Sequence, residues 1–229
     1  MTTFVLIHGA YQGGWIWKPV AERLRAGGHE VLTPSLDGCA ERKAQVRPGI
    51  TTEAHAAEIA DLLFYQDLSD VVLVGTSTGG MVMARTAELA RERVARLVFA
   101  DSLALLDGEA LPDIVKRPTA VDTELSSGPS RQDFETRLFA DLDPATRRWA
   151  LERCTPHPIA VMKAPVRLER FWDQAWSASV IWCKRSTNPP QAHQRRTADR
   201  LKGRWHELDT GHYPMLTEPE ALARLIAEG

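Results

Sequence analysis

Four aliphatic residues, Val71-Val72-Leu73-Val74, run without a break into Gly75-Thr76-Ser77-Thr78-Gly79-Gly80, and residues of helical spacing follow over 81–90. An unbroken aliphatic run of this kind predicts a strand buried on both faces, as in a parallel sheet. The G-x-S-x-G between strand and helix demands a turn so tight that the serine takes strained backbone angles, and glycine two positions to either side leaves room for neighbouring backbone. The hydroxyl of Ser77 is thereby expected to stand out at the carboxyl edge of the sheet, where open α/β sheets bind ligands. An ordinary strand-to-helix turn can carry the same letters, so the position of the motif weighs more than its pattern. A phosphate-cradling turn does not fit, because no Gly-Lys-Ser/Thr follows and the glycines are not spaced as G-x-G-x-x-G.

The remaining chain repeats the strand-helix alternation. Strands are predicted at 3–7, 29–33, 96–100, 178–183 and 204–208, with helices at 15–26, 52–66, 81–90 and from Asn188-Pro189 to 201. Residues 35–49 are polar with scattered Gly and Pro and read as loop. Thr217-Glu218-Pro219-Glu220 reads as a capping box that starts the final helix. Alternation at this spacing predicts parallel βαβ units, hence an α/β fold with a mostly parallel central sheet flanked by helices. Residues 105–176 break the rhythm with prolines, polar stretches and helical pieces at 132–140 and 144–153, but no convincing strand. They are expected to form a largely helical lid inserted into a single domain spanning 1–229. Phe134, Phe139, Trp149, Phe171, Trp172 and Trp176 either line an apolar pocket beneath that lid or belong to plain core.

With 229 residues the chain can bury one substantial core, and a formal charge of -2 offers nothing to nucleic acid or an anionic membrane surface. A small, uncharged ligand is the expected partner. Cys39, Cys154 and Cys183 are odd in number and widely spaced, unlike a disulfide framework. No leader or membrane-length apolar run is visible, so a cytoplasmic location is expected. A homodimer is allowed but not specified. Neither His55, on a helix with no second ligand nearby, nor the Cys154-x-x-His157 pair has the company of a metal site, so no metal and no cofactor are expected.

A serine hydroxyl is a poor nucleophile at neutral pH and needs a base that is itself held by a third group. His212, in the loop Asp209-Thr210-Gly211-His212-Tyr213-Pro214 after the last strand, is the best base. His8, beside the first turn, is second choice and better suited to shaping the pocket. Its neighbours, in the glycine-rich run His8-Gly9-Ala10-Tyr11-Gln12-Gly13-Gly14-Trp15, could converge backbone N–H groups on a developing negative charge.

Taken together, His8-Gly9-Ala10, the serine elbow and Asp209-x-Gly-His212 resemble the α/β-hydrolase fold. The longer run from His8 to Trp17, with Thr33-Pro34-Ser35-Leu36-Asp37-Gly38 and Glu41-Arg42, is similar to the compact branch holding plant hydroxynitrile lyases, salicylate-type methylesterases and bacterial esterase relatives. The resemblance implies Ser77 as nucleophile, His212 as base, and the backbone N–H groups of Ala10 and Thr78 as oxyanion hole. Three departures stand out. Thr76 replaces the histidine that precedes the serine in many relatives. Tyr213 replaces the lysine that follows the catalytic histidine in hydroxynitrile lyases, which removes the cation that would stabilise departing cyanide. Ser186 stands where relatives carry the triad acid, and serine cannot stabilise imidazolium by charge. Asp101, at the end of the strand beside the nucleophile strand, is the candidate acid, ahead of Asp209 and Asp173.

These readings converge on a serine hydrolase, a carboxylesterase of small, largely apolar esters or lactones working through an acyl-enzyme on Ser77. The alternatives are a lyase or carbon-carbon bond hydrolase using the same pocket, or a non-catalytic small-molecule receptor with a degenerate triad.

Overall fold

A computed structural model describes residues 1–116 and 120–228. The central sheet has six strands in the order β2-β1-β3-β4-β8-β9, every neighbouring pair parallel. These are β1 (Thr3–Ile7), β2 (Glu30–Leu32), β3 (Val71–Ser77), β4 (Val94–Ser102), β8 (Ala178–Cys183) and β9 (Arg204–Leu208). The main helices between and after them are α1 (Lys18–Ala26), α2 (Thr52–Tyr65), α3 (Gly79–Leu89), α4 (Pro144–Leu151), α5 (Gln191–Leu201) and α6 (Pro219–Glu228).

The alternation of side chains along each strand divides the core in two. Val5, Ile7, Leu73, Leu97, Phe99 and Val180 face α2, α3 and α5, while Phe4, Leu6, Val72, Val74, Val98 and Ile181 face α1 and α6. Burying each such side chain contributes about 1.5–3 kcal/mol, so the sheet is rigid where its carboxyl edge must hold chemistry in place. The chain belongs to the α/β class expected of it. Among the described residues no helix is long and apolar enough to cross a membrane.

Several local expectations are corrected. Residues 105–176 do contain strands: β5 (Ala120–Asp122), β6 (Ser126–Pro129) and β7 (His157–Pro158) form a small antiparallel sheet. Its turn is closed by Thr123, whose N donates to Ser126 O at 2.7 Å and whose hydroxyl accepts from Ser126 N at 2.9 Å. Strands this short, rich in Ser, Gly and Pro, carry no hydrophobic period. The segment 132–140 is one turn, Arg131–Asp133, continued by a wide π-type turn over Phe134–Leu138. A 3-10 helix, Ala40–Gln45, lies inside the predicted loop at 35–49. The capping box at Thr217 does not form. Its hydroxyl instead meets Thr210 Oγ1 at 2.6 Å and donates to Tyr213 O at 3.2 Å, and the final helix starts at Pro219.

Candidate active site

The serine elbow has the strain its sequence implies. Ser77 ends β3 with φ 50°, in the left-handed region, and α3 begins two residues later. A Cβ on Gly75 would lie 2.8 Å from Gly79 O, and one on Gly79 would lie 2.5 Å from Ile7 O and 2.6 Å from His8 O. Side chains at either position would push the helix off the sheet. Ser77 O is held by Ser102 Oγ at 3.1 Å and Leu103 N at 3.0 Å, so β4 clamps the elbow from the side.

Beside it, β4 ends in a bulge. Thr76 pairs with Ala100 but Ser77 pairs with Ser102, which leaves Asp101 as the extra residue, at φ 46°. A bulge re-aims the side chain it carries. The Asp101 carboxylate, wholly buried, lies with Oδ2 2.6 Å from His212 Nδ1. Its other oxygen accepts from Gln194 Nε2 at 2.7 Å and from Cys183 N at 3.3 Å. Burial, with the charge of Asp101 second, pushes the Cys183 thiol well above the usual thiol range.

The loop carrying His212 is tied at both ends. Arg185 N donates to Thr210 O at 3.0 Å, and Thr217 holds Thr210 and Tyr213 as described above. His212 and Ser77 border one cavity of about 670 Å³, counted with its open mouth. Ala10 and Thr78 border it too, Thr78 at the head of α3, where helix N–H groups lack internal partners and favour negative charge. Leu103, Leu111, Val115, Leu138 and Met162 make its apolar wall. A second cavity of about 630 Å³ meets the first at Arg137, Leu138, Asn188 and His212, and is lined further by Asp141, Arg185 and Ser186.

Other candidates fall outside this arrangement. His8 is fully buried, its Nδ1–H donating to Gly9 O at 2.8 Å and its Nε2 accepting from Leu36 N at 3.0 Å; burial lowers its pKa to about 4. With both nitrogens occupied it holds the Gly9-Ala10 turn in place. Ser186 Oγ donates to Asn188 O at 3.3 Å. Asp209 is 3.5 Å from Arg185, and Asp173 is exposed. His55 packs inside with Nε2 2.8 Å from Asp37 O. His157 faces Cys39 Sγ at 3.4 Å rather than Cys154. Among the described residues, no three His, Cys, Asp or Glu side chains are grouped to hold a metal.

The six aromatics offered as pocket lining are not on the cavity wall. Phe139 and Phe171 are fully buried core, and the aromatics that do border the cavity are Tyr11 and Tyr213. Burial pushes the Tyr213 hydroxyl up, so a neutral phenol directly follows His212. Sequence reasoning missed Gln194. It lies on a helix that also carries Arg195, Arg196 and Arg200; Arg196 is paired with Glu109 at 2.7 Å, and the buried side of that helix carries His193, Gln194 and Thr197.

Residues 4–225 match the model of the alpha/beta hydrolase family, and the chain belongs to that family. It is similar to a carbendazim hydrolyzing esterase from Nocardioides sp. (strain SG-4G), 31% identical over 241 residues and covering 99% of each chain. It is also similar to methylesterase 3 of Arabidopsis thaliana, 24% identical over 254 residues, covering 98% of this chain and 94% of the other. Among solved structures, an extracellular alpha/beta-hydrolase from a Paenibacillus species superposes with a TM-score of 0.85 at 24% identity, covering 100% of this chain and 98% of the other, which carries the likeness of fold.

Proposed function

We propose that this protein is a serine esterase that cleaves small, largely apolar carboxylic esters or lactones through an acyl-enzyme on Ser77. The observation that carries the reading is the buried carboxylate of Asp101, 2.6 Å from the imidazole of His212, which shares one apolar cavity with the strained Ser77. The esterase names of two full-length relatives support the reaction class.

In this reading His212 Nε2 takes the proton of Ser77 as Oγ attacks the ester carbonyl, and Asp101 stabilises the imidazolium that forms. The N–H groups of Ala10 and Thr78 receive the oxyanion. His212 returns the proton to the departing alcohol, and water activated by the same imidazole releases the acid. Residues 105–176 supply much of the apolar wall and act as the lid within a single domain.

Incubation with a fluorophosphonate probe tests the mechanism, with turnover of p-nitrophenyl butyrate followed in parallel. Labelling and turnover are both expected, and both are lost in Ser77→Ala. Turnover that persists in Ser77→Ala would remove the serine from the chemistry, and absence of both in the native chain would favour a ligand-binding receptor.

A further inference from the structure

We propose, resting on that reading, that Gln194 is a positioning residue of the reaction: its side-chain amide occupies one oxygen of Asp101 so that the other faces His212. A carboxylate has two equivalent oxygens and turns freely about its last bond unless one of them is claimed. In Asp101, Oδ1 receives Gln194 Nε2 at 2.7 Å and only a longer bond, 3.3 Å, from Cys183 N. Oδ2 is left to His212 Nδ1.

The orientation of the amide follows from its surroundings. Gln194 Nε2 also donates to Pro189 O at 3.1 Å, so it sits between two acceptors, and a reversed amide would set Oε1 against both oxygens. Gln194 is fully buried on α5, and its Oε1 finds no hydrogen-bond partner among the described residues. A buried side chain that satisfies its donors at the expense of its own acceptor is poorly explained by packing alone. Pro189 borders the cavity of Ser77 and His212, so one amide ties the acid to the wall of the pocket. The hydrogen bonds of the Gln194 side chain go to Asp101 and Pro189 and not to Ser77 or the imidazole, so it acts through Asp101.

The test is a double-mutant cycle on p-nitrophenyl butyrate hydrolysis. Gln194→Leu in the native chain is expected to lower kcat about tenfold or more with KM within about twofold, because the loss falls on transition-state stabilisation. In an Asp101→Asn background the same change is expected to alter kcat by less than about twofold, since residues acting through one another are not additive. Equal losses in both backgrounds, or a raised KM with kcat unchanged, would overturn the inference. Loss of turnover in Ser77→Ala with none in Asp101→Asn would overturn it too, while leaving the esterase reading in place. Should Gln194→Leu fail to fold, Gln194→Glu keeps the shape and decides the matter. Its added carboxyl donates to Asp101 while protonated, so turnover relative to the native chain is expected to be highest at acid pH and to fall as the carboxyl ionises, whereas turnover reduced by one and the same factor at every pH would overturn the inference.

Discussion

Asp101 Oδ2 and His212 Nδ1 lie 2.6 Å apart although 111 residues separate them in the chain. The contact exists because β4 bulges at its last turn, and the bulge points a carboxylate along the edge of the sheet toward the loop after β9. If that carboxylate is the acid of a catalytic triad, Asp101→Asn removes the charge that stabilises imidazolium and is expected to lower kcat by about 10³-fold or more. Ser186→Ala, which deletes only a hydroxyl bonded to Asn188 O, is expected to stay within about threefold of native. Ester turnover of the two variants, ranked the other way, would refute the assignment of the acid.

Gly75→Ala is expected to cost about 2 kcal/mol or more, because its Cβ would press on the backbone of Gly79 and Gly80, which cannot move without lifting α3. Gly128→Ala is the control. There the nearest atom is Pro156 Cα at 3.7 Å, an ordinary contact, and the expected change is under about 0.5 kcal/mol. Urea unfolding midpoints of the two variants measure the contrast.

Two buried histidines make the fold sensitive to acid. Burial lowers the pKa of His8 to about 4; the same cause, with Arg196 second, lowers that of His193 to about 4. Both rings use Nε2 as an acceptor, from Leu36 N and Ala104 N, and protonation destroys those bonds. Between about pH 6.5 and pH 4 the unfolded chain binds protons that the folded chain refuses, so stability present above pH 6.5 is lost as the pH falls, by about 3 kcal/mol for each histidine. Unfolding free energies at pH 7, 5.5 and 4.5 are expected to fall steadily, and His8→Gln is expected to have the shallower slope. An equal slope in that variant would show that His8 does not carry its share.

Cyanohydrin cleavage is expected to be absent. The position after His212 is the buried, neutral phenol of Tyr213, and among the described residues the cations on the cavity wall are held by other groups: Arg137 by Asp133 at 2.7 Å and Lys116 by Pro112 O at 2.9 Å. Departing cyanide would lack a cation beside His212 to receive it, a deficit of several kcal/mol in the barrier. Cyanide release from mandelonitrile at a rate comparable with ester hydrolysis would contradict this.

What could be read from the chain alone was whatever is encoded locally. β1 and β8 fall on the residues their apolar runs mark, and the elbow is legible because its glycines are demanded by neighbours within a few residues and by one adjacent strand. β5, β6 and β7 left no trace, since strands of two to four residues with Ser, Gly and Pro owe their existence to pairing rather than to pattern. Thr217 has the letters of a helix cap, but the tertiary contact with Thr210 takes its hydroxyl. Asp101 was visible as a strand-end carboxylate among competitors; only the bulge, invisible in sequence, sets its direction. Gln194 gave no signal at all, because a single amide on an arginine-rich helix reads the same whether it meets water or a buried carboxylate.

The bulge in β4 also bears on how such a chain can diversify. If proton handling is gathered onto β4 and the loop after β9, as proposed, the side chains from Arg185 to Asn188 have no chemical duty, yet they wall the second cavity. Substitutions there are then expected to reshape what the pocket accepts while leaving Ser77, His212 and Asp101 in place. A library randomised over those four positions is where new ester preferences should be sought.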